Sequence, residues 1–134
     1  MTAAAPVLAI LLLISATSLR ASNDSFAEAT DLSNETLQVS RYVGGIGTAE
    51  SGEPAHAGSP ATESFWFQWQ ASSSGPMAFG EWINVTNARL AVYTGDSLAT
   101  LVPVVQGIGR VFFPAVAGVR YRLVIDSPGA DSIY

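Results

Sequence analysis

Hydrophobic and polar positions alternate most clearly along Ser64-Phe65-Trp66-Phe67-Gln68-Trp69-Gln70. In an extended chain, period-two geometry puts Phe65, Phe67 and Trp69 on one side and Trp66, Gln68 and Gln70 on the other. Three aromatic side chains on one face bury about 150–250 Å² each, so this strand is expected to anchor the core. Other short stretches follow the same rule. Residues 36–43 alternate Leu37, Val39, Arg41 and Val43 against Gln38, Ser40 and Tyr42 and read as a first strand. Residues 77–85 set Met77, Phe79, Glu81 and Ile83 against Ala78, Gly80, Trp82 and Asn84, with Gly80 marking a bulge or a close backbone approach. Strands are also expected over 88–93, over 102–106 at a sheet edge because Pro103 has no N–H to donate, over 109–113 and over 121–126. Pro114 to Gly118 reads as a hairpin joining the last two, and Tyr121, Leu123 and Ile125 share a face opposite Arg122, Val124 and Asp126.

Helical periodicity is nearly missing from this part of the chain. Residues 23–32 suggest one short turn, with Asp24 as cap and Glu28 in its first turn, which must pack Phe26 and Leu32 onto something larger. A long connection over residues 44–63, rich in Gly and Pro, exceeds the usual loop length and is expected to be functional or mobile. Short strands with Gly and Pro punctuation predict an all-β, antiparallel β-sandwich or barrel.

Residues 1–21 stand apart. Val7 to Ile14 is an unbroken apolar run of eight residues, too short to cross a bilayer about 30 Å thick, and it is followed by small polar residues and then Leu19-Arg20-Ala21. The segment reads as a signal-peptide helix, although no Lys or Arg precedes the run. Secretion or a cell-surface location follows, with a single domain over 22–134 and no membrane contact once the signal is removed.

Charge narrows the partners. All six basic residues are Arg, and eleven carboxylates bring the net charge to −5. Without a basic patch the chain repels phosphate backbones, which argues against nucleic acid. The absence of Cys removes disulfides, thiol catalysis and thiolate metal sites.

Glu50, Glu53 and His56, spaced three apart in the Gly-rich connection, are the first candidates for chemistry. Calcium takes several oxygen ligands from flexible segments, which two carboxylates and nearby carbonyls can begin to supply. The other reading is that these residues shape the loop, with His56 hydrogen-bonded to backbone. One His without Cys is a poor zinc site, and no Ser stands in a nucleophile-elbow setting. Trp66, Trp82 and Tyr93 are candidates for an exposed aromatic platform for ligand, weighed against packing of the same rings in the core. Asn23, Asn34 and Asn84 each open an Asn-x-Ser/Thr triplet.

Several segments in order resemble one family. These are Asn23-Asp24-Ser25-Phe26-Ala27, Glu50-Ser51-Gly52-Glu53-Pro54-Ala55-His56-Ala57-Gly58 followed by the aromatic strand, Leu90-Ala91-Val92-Tyr93-Thr94-Gly95, and Arg110-Val111-Phe112-Phe113 with Tyr121-Arg122-Leu123-Val124-Ile125-Asp126. Together they are similar to the bacterial pre-peptidase C-terminal-like domain, a non-catalytic module of exported proteins. The resemblance implies a jelly-roll-like β-sandwich. Related collagen-binding modules hold calcium between their N-terminal segment and the loop before the aromatic strand, which implies Asn23 and Asp24 beside Glu50 and Glu53. Members carry a longer stretch before the Leu90 strand, and they end in one further strand, of which Ser132-Ile133-Tyr134 would be only the start.

The expected function is therefore a non-catalytic, exported binding or accessory module that contacts an extracellular polysaccharide or protein, or an adjacent domain. A structural spacer stabilised by calcium and a small secreted hydrolase are the alternatives.

Overall fold

The computed structural model describes residues 22–33, 47–80 and 88–127. The signal segment, the expected strand over 36–43, Trp82 and the C-terminal extra strand lie outside these residues. Seven strands are described: β1 (Thr30–Asp31), β2 (Ser64–Gln70), β3 (Gly75–Gly80), β4 (Arg89–Thr94), β5 (Val102–Ile108), β6 (Arg110–Ala115) and β7 (Arg120–Asp126). They form a five-stranded sheet in the order β1-β2-β7-β4-β5 and a two-stranded sheet of β3 and β6. All pairings are antiparallel except that of the two-residue β1, which runs parallel to β2.

The aromatic strand does anchor the core. Phe65 and Phe67 are buried and Trp69 packs beside them; Tyr121, Leu123 and Ile125 of β7 and Leu90 and Val92 of β4 share this face. Val111, Phe113 and Ala115 of β6 close over them from the small sheet, with Met77 and Phe79 of β3 at the margin. Burial alternates strictly along β6, as a strand with one dry side requires. Trp69 stacks on Tyr121 at 5.8 Å, and Tyr121 meets Phe113 at 5.0 Å, so aromatic contacts bridge the layers.

Residues 114–118 do not form the expected hairpin, because β6 pairs with β3 and β7 with β2 and β4. The connection instead carries the chain from one sheet to the other. Two features hold that corner: Val116 N–H donates to the Tyr121 hydroxyl at 2.9 Å, and Ala71 N–H and Gly118 N–H exchange bonds with Val119 O and Ala71 O. Alternation predicts which residues face inward but not which strand lies alongside.

The close approach expected at Gly80 is present. A Cβ there would fall 2.5 Å from Gly109 O and 2.7 Å from Arg110 Cα. Pro103 lies in β5 beside a register shift at Val92/Tyr93, on the outermost described strand of the large sheet.

Behind the large sheet lies a second, smaller core of Trp66, Ala91, Tyr93 and Val124, covered by Phe26, Ala29, Leu98 and Leu101. The side of β2 opposite the main core is thus also dry. Its cover comes from residues 22–29, from the connection over 47–63 and from the turn after β4.

Candidate functional site

The N-terminal segment crosses this outer face and is pinned to it. Trp66 N–H donates to Asn23 O at 2.9 Å and the Asn23 amide returns a bond of 3.0 Å to Trp66 O. A single 3-10 turn, Phe26–Glu28, follows. Asp24 does not cap it: the N-cap position is Ser25, which makes no side-chain cap bond, and the Asp24 carboxylate accepts from the backbone N–H and hydroxyl of Thr48. The donors of Thr48, which bridges to Ser64 at the start of β2, take the carboxylate in place of the local cap. Asn23 is buried, with its amide committed to Trp66 O, so its Asn-x-Ser triplet is closed to modification in the folded chain.

The connection before β2 supplies the remaining cover through a tight turn. His56 and Ser59 exchange backbone bonds of 2.9 and 3.1 Å, while Ala57 (φ 47°) and Gly58 (φ 79°) between them are left-handed, the arrangement of a type I′ turn. Ala pays a steric cost there. The turn is held to β5 by Ala57 N–H donating to Gln106 Oε1 at 2.7 Å.

This turn drives His56 into the second core, where it has no exposed surface. Its Nδ1 lies 2.8 Å from the Tyr93 hydroxyl and its Nε2 2.9 Å from Glu53 Oε1. The hydrogen bonds continue outward: Glu50 N–H donates to Glu53 Oε2 at 2.9 Å, and Phe26 N–H donates to Glu50 Oε1 at 2.8 Å. Burial, aided by the Glu53 charge, pushes the Tyr93 hydroxyl up to about 12. The imidazole has both nitrogens engaged and no open side from which to meet a substrate.

The spacing of Glu50, Glu53 and His56 therefore brings these residues together, and Asn23 and Asp24 join them at the same end of the outer face. The chemistry differs from a cation cage. The carboxylate oxygens of Asp24 and one of Glu50 accept from donors of the facing segment, and those of Glu53 meet His56 Nε2 and the Glu50 N–H within their own loop. Among the described residues no three His, Asp or Glu side chains gather around one point, whereas calcium takes six to eight oxygens. The set present fits a tie between segments better than a calcium site.

Trp66 and Tyr93 do not form an exposed platform. Trp66 has zero exposure and Tyr93 2%, and their rings pack with Phe26 and His56 at 5.2–6.2 Å. Alternation places Trp66 opposite the main core correctly; the second layer of cover then buries it. Trp82 lies outside the described residues.

What the outer face does leave open is a groove of about 550 Å³. Its floor is Gln68 of β2 and Arg122 of β7, register partners across the sheet. One wall is Phe26, Ala27, Ala29 and Glu50; the other is the segment Asp96 to Ala99. Arg122 is held from three directions. Its Nε–H donates to Gly95 O at 3.1 Å, one terminal nitrogen donates to Gln68 Oε1 at 2.6 Å, and the guanidinium lies 4.9 Å over the Phe26 ring. The other terminal nitrogen faces Asp96 Oδ1 at 3.7 Å, beyond hydrogen-bond range, and the Asp96 side chain is 99% exposed. Gly95 allows this geometry, since a Cβ at its φ of +126° would fall 2.6 Å from Thr100 O.

Sequence reasoning missed Arg122 and Asp96, which lie 26 residues apart and meet only across β4 and β7. The available signal was an Arg set among the apolar Tyr121, Leu123, Val124 and Ile125 in the middle of β7. Comparison with protein-family models, with curated proteins and with solved structures returns no match to this chain.

Proposed function

We propose that the chain is a non-catalytic, exported binding module, a jelly-roll-like sandwich of the pre-peptidase C-terminal-like kind, that contacts an extracellular polymer or an adjacent domain. The observation that carries this reading is the groove: an open, polar-floored depression whose cationic residue is locked in place before any ligand arrives. A side chain already ordered loses little entropy on binding. The sealed imidazole supports the non-catalytic part, because the chain's single His has no access to a substrate. Export rests on the character of residues 1–21.

The test is co-sedimentation of the purified domain with insoluble polysaccharides, fibrillar collagen and cell-wall material. Capture by one of these, lost when the groove wall is filled by Ala99→Trp, supports the reading. Equal behaviour of the parent and the filled variant on every material overturns it.

A second reading, a structural spacer, draws on one specific observation: Asn23 ties the N-terminal segment to β2, Asp24 and Glu50 tie it to the loop before β2, and Glu53 braces that loop. An N-terminal segment clasped in this way gives a preceding segment a rigid point of attachment. A calcium-dependent rise in melting temperature, abolished by Glu53→Ala, would favour a cation-stabilised spacer.

A further inference from the structure

Resting on the binding-module reading, we infer that the groove takes a neutral, hydroxyl-rich polysaccharide segment, with one sugar hydroxyl held between Arg122 and Asp96. The unbonded nitrogen of Arg122 and Asp96 Oδ1 stand 3.7 Å apart. That separation leaves room beside the pair for one oxygen at about 2.9 Å from each, an ordinary hydrogen-bond distance. An oxygen there accepts from the guanidinium and must donate to the carboxylate. A hydroxyl does both, whereas a carboxylate, a phosphate or a peptide carbonyl only accepts.

Charge and shape point the same way. The ionisable groups lining the groove are Glu50, Asp96 and Arg122, so acids outnumber the base, and the whole chain carries −5. A polyanion is repelled from such a surface. An extended peptide gains affinity chiefly by adding to a sheet edge. Here Gln68 and Arg122 belong to strands paired on both sides, so the groove crosses the face of the sheet and offers no edge. Small apolar groups, Ala27 and Ala29 on one wall and Leu98 and Ala99 on the other, suit the C–H faces of a sugar ring.

Affinity electrophoresis of the full chain in native gels, containing in turn β-glucan, xylan, mannan, soluble starch, polygalacturonate, heparin or gelatin, tests this. The expected result is retardation by at least one of the neutral glycans and by neither polyanion. Asp96→Ala should weaken that retardation at least tenfold, and Ala99→Trp should abolish it. Both positions are exposed, and unchanged melting temperatures separate lost contacts from lost folding. Retardation by gelatin or a polyanion alone overturns the sugar assignment while leaving a binding module in place. Retardation by a neutral glycan that both variants retain overturns the groove as its site. No retardation in any gel, together with no capture by insoluble material, overturns both the inference and the reading beneath it.

Discussion

Replacing Trp66 with alanine distinguishes most sharply between a ring that binds ligand and a ring that holds the fold. Trp66 has no exposed surface and contacts Phe26 edge-on at 5.2 Å and His56 at 5.7 Å. Truncating a fully buried Trp costs about 3–5 kcal/mol in lost burial and residual cavity. For a domain of this size each kcal/mol moves the melting temperature by about 4 °C, so Trp66→Ala is expected to melt roughly 12–20 °C below the parent. A companion substitution refines the argument. The indole N–H of Trp66 is buried and has no hydrogen-bond partner among the described residues. An unsatisfied buried donor costs about 1–3 kcal/mol, and Trp66→Phe removes it while keeping an aromatic ring between Phe26 and His56. The relief offsets most of the lost surface, and Trp66→Phe is expected to stay within about 1 kcal/mol of the parent. Calorimetry or thermal circular dichroism on the three proteins decides the matter. The reasoning fails if Trp66→Ala melts with the parent, as an exposed platform residue would, or if Trp66→Phe falls as far as Trp66→Ala.

Alkaline stability should depend on Tyr93. Its folded-state pKa of about 12 exceeds the ordinary value of 10.0, so the fold favours the neutral phenol; the associated stability is complete below pH 10 and is lost as pH rises through about 12. Tyr93→Phe should flatten that part of a stability-versus-pH curve measured in urea, and an unchanged slope would refute the assignment. Asp126 is fully buried and accepts bonds from Thr62, Glu63 and Arg89. Asp126→Asn strands the Arg89 charge and should cost about 3–5 kcal/mol in urea unfolding, against about zero if the pair were a solvated surface contact. Ala57→Gly removes the left-handed strain of the His56–Ser59 turn, worth about 1–2 kcal/mol, and adds back about 0.5–1 kcal/mol of unfolded-state entropy. A small net stabilisation is expected, and a lower melting temperature would show that the turn is not strained.

Local alternation determined a good deal about this chain without help. Phe65, Phe67 and Trp69 turn inward because successive side chains of a strand point to opposite sides, and the same rule assigns Tyr121, Leu123 and Ile125 to the core. Pro103 and Gly80 announced an outer strand and a close backbone approach through a missing N–H and a missing Cβ. The loop residues Glu50, Glu53 and His56 were legible as a cluster, since three-residue spacing in a tight loop keeps side chains near one another.

Only the tertiary structure decided what those positions meet. Alternation says which side of a strand is dry but carries no information on partner strands, so the connection after β6 could turn back as a hairpin or cross to the other sheet; it crosses. Nor does it say whether the far side is wet. Trp66 and Tyr93 are buried because an irregular segment and a loop, neither of which has a hydrophobic period, lie over them. The carboxylates of Asp24, Glu50 and Glu53 could hold a cation or a backbone N–H with equal ease until the chain brought donors to them. Arg122 and Asp96 were brought together by strand pairing, a long-range relation that no spacing along the sequence encodes.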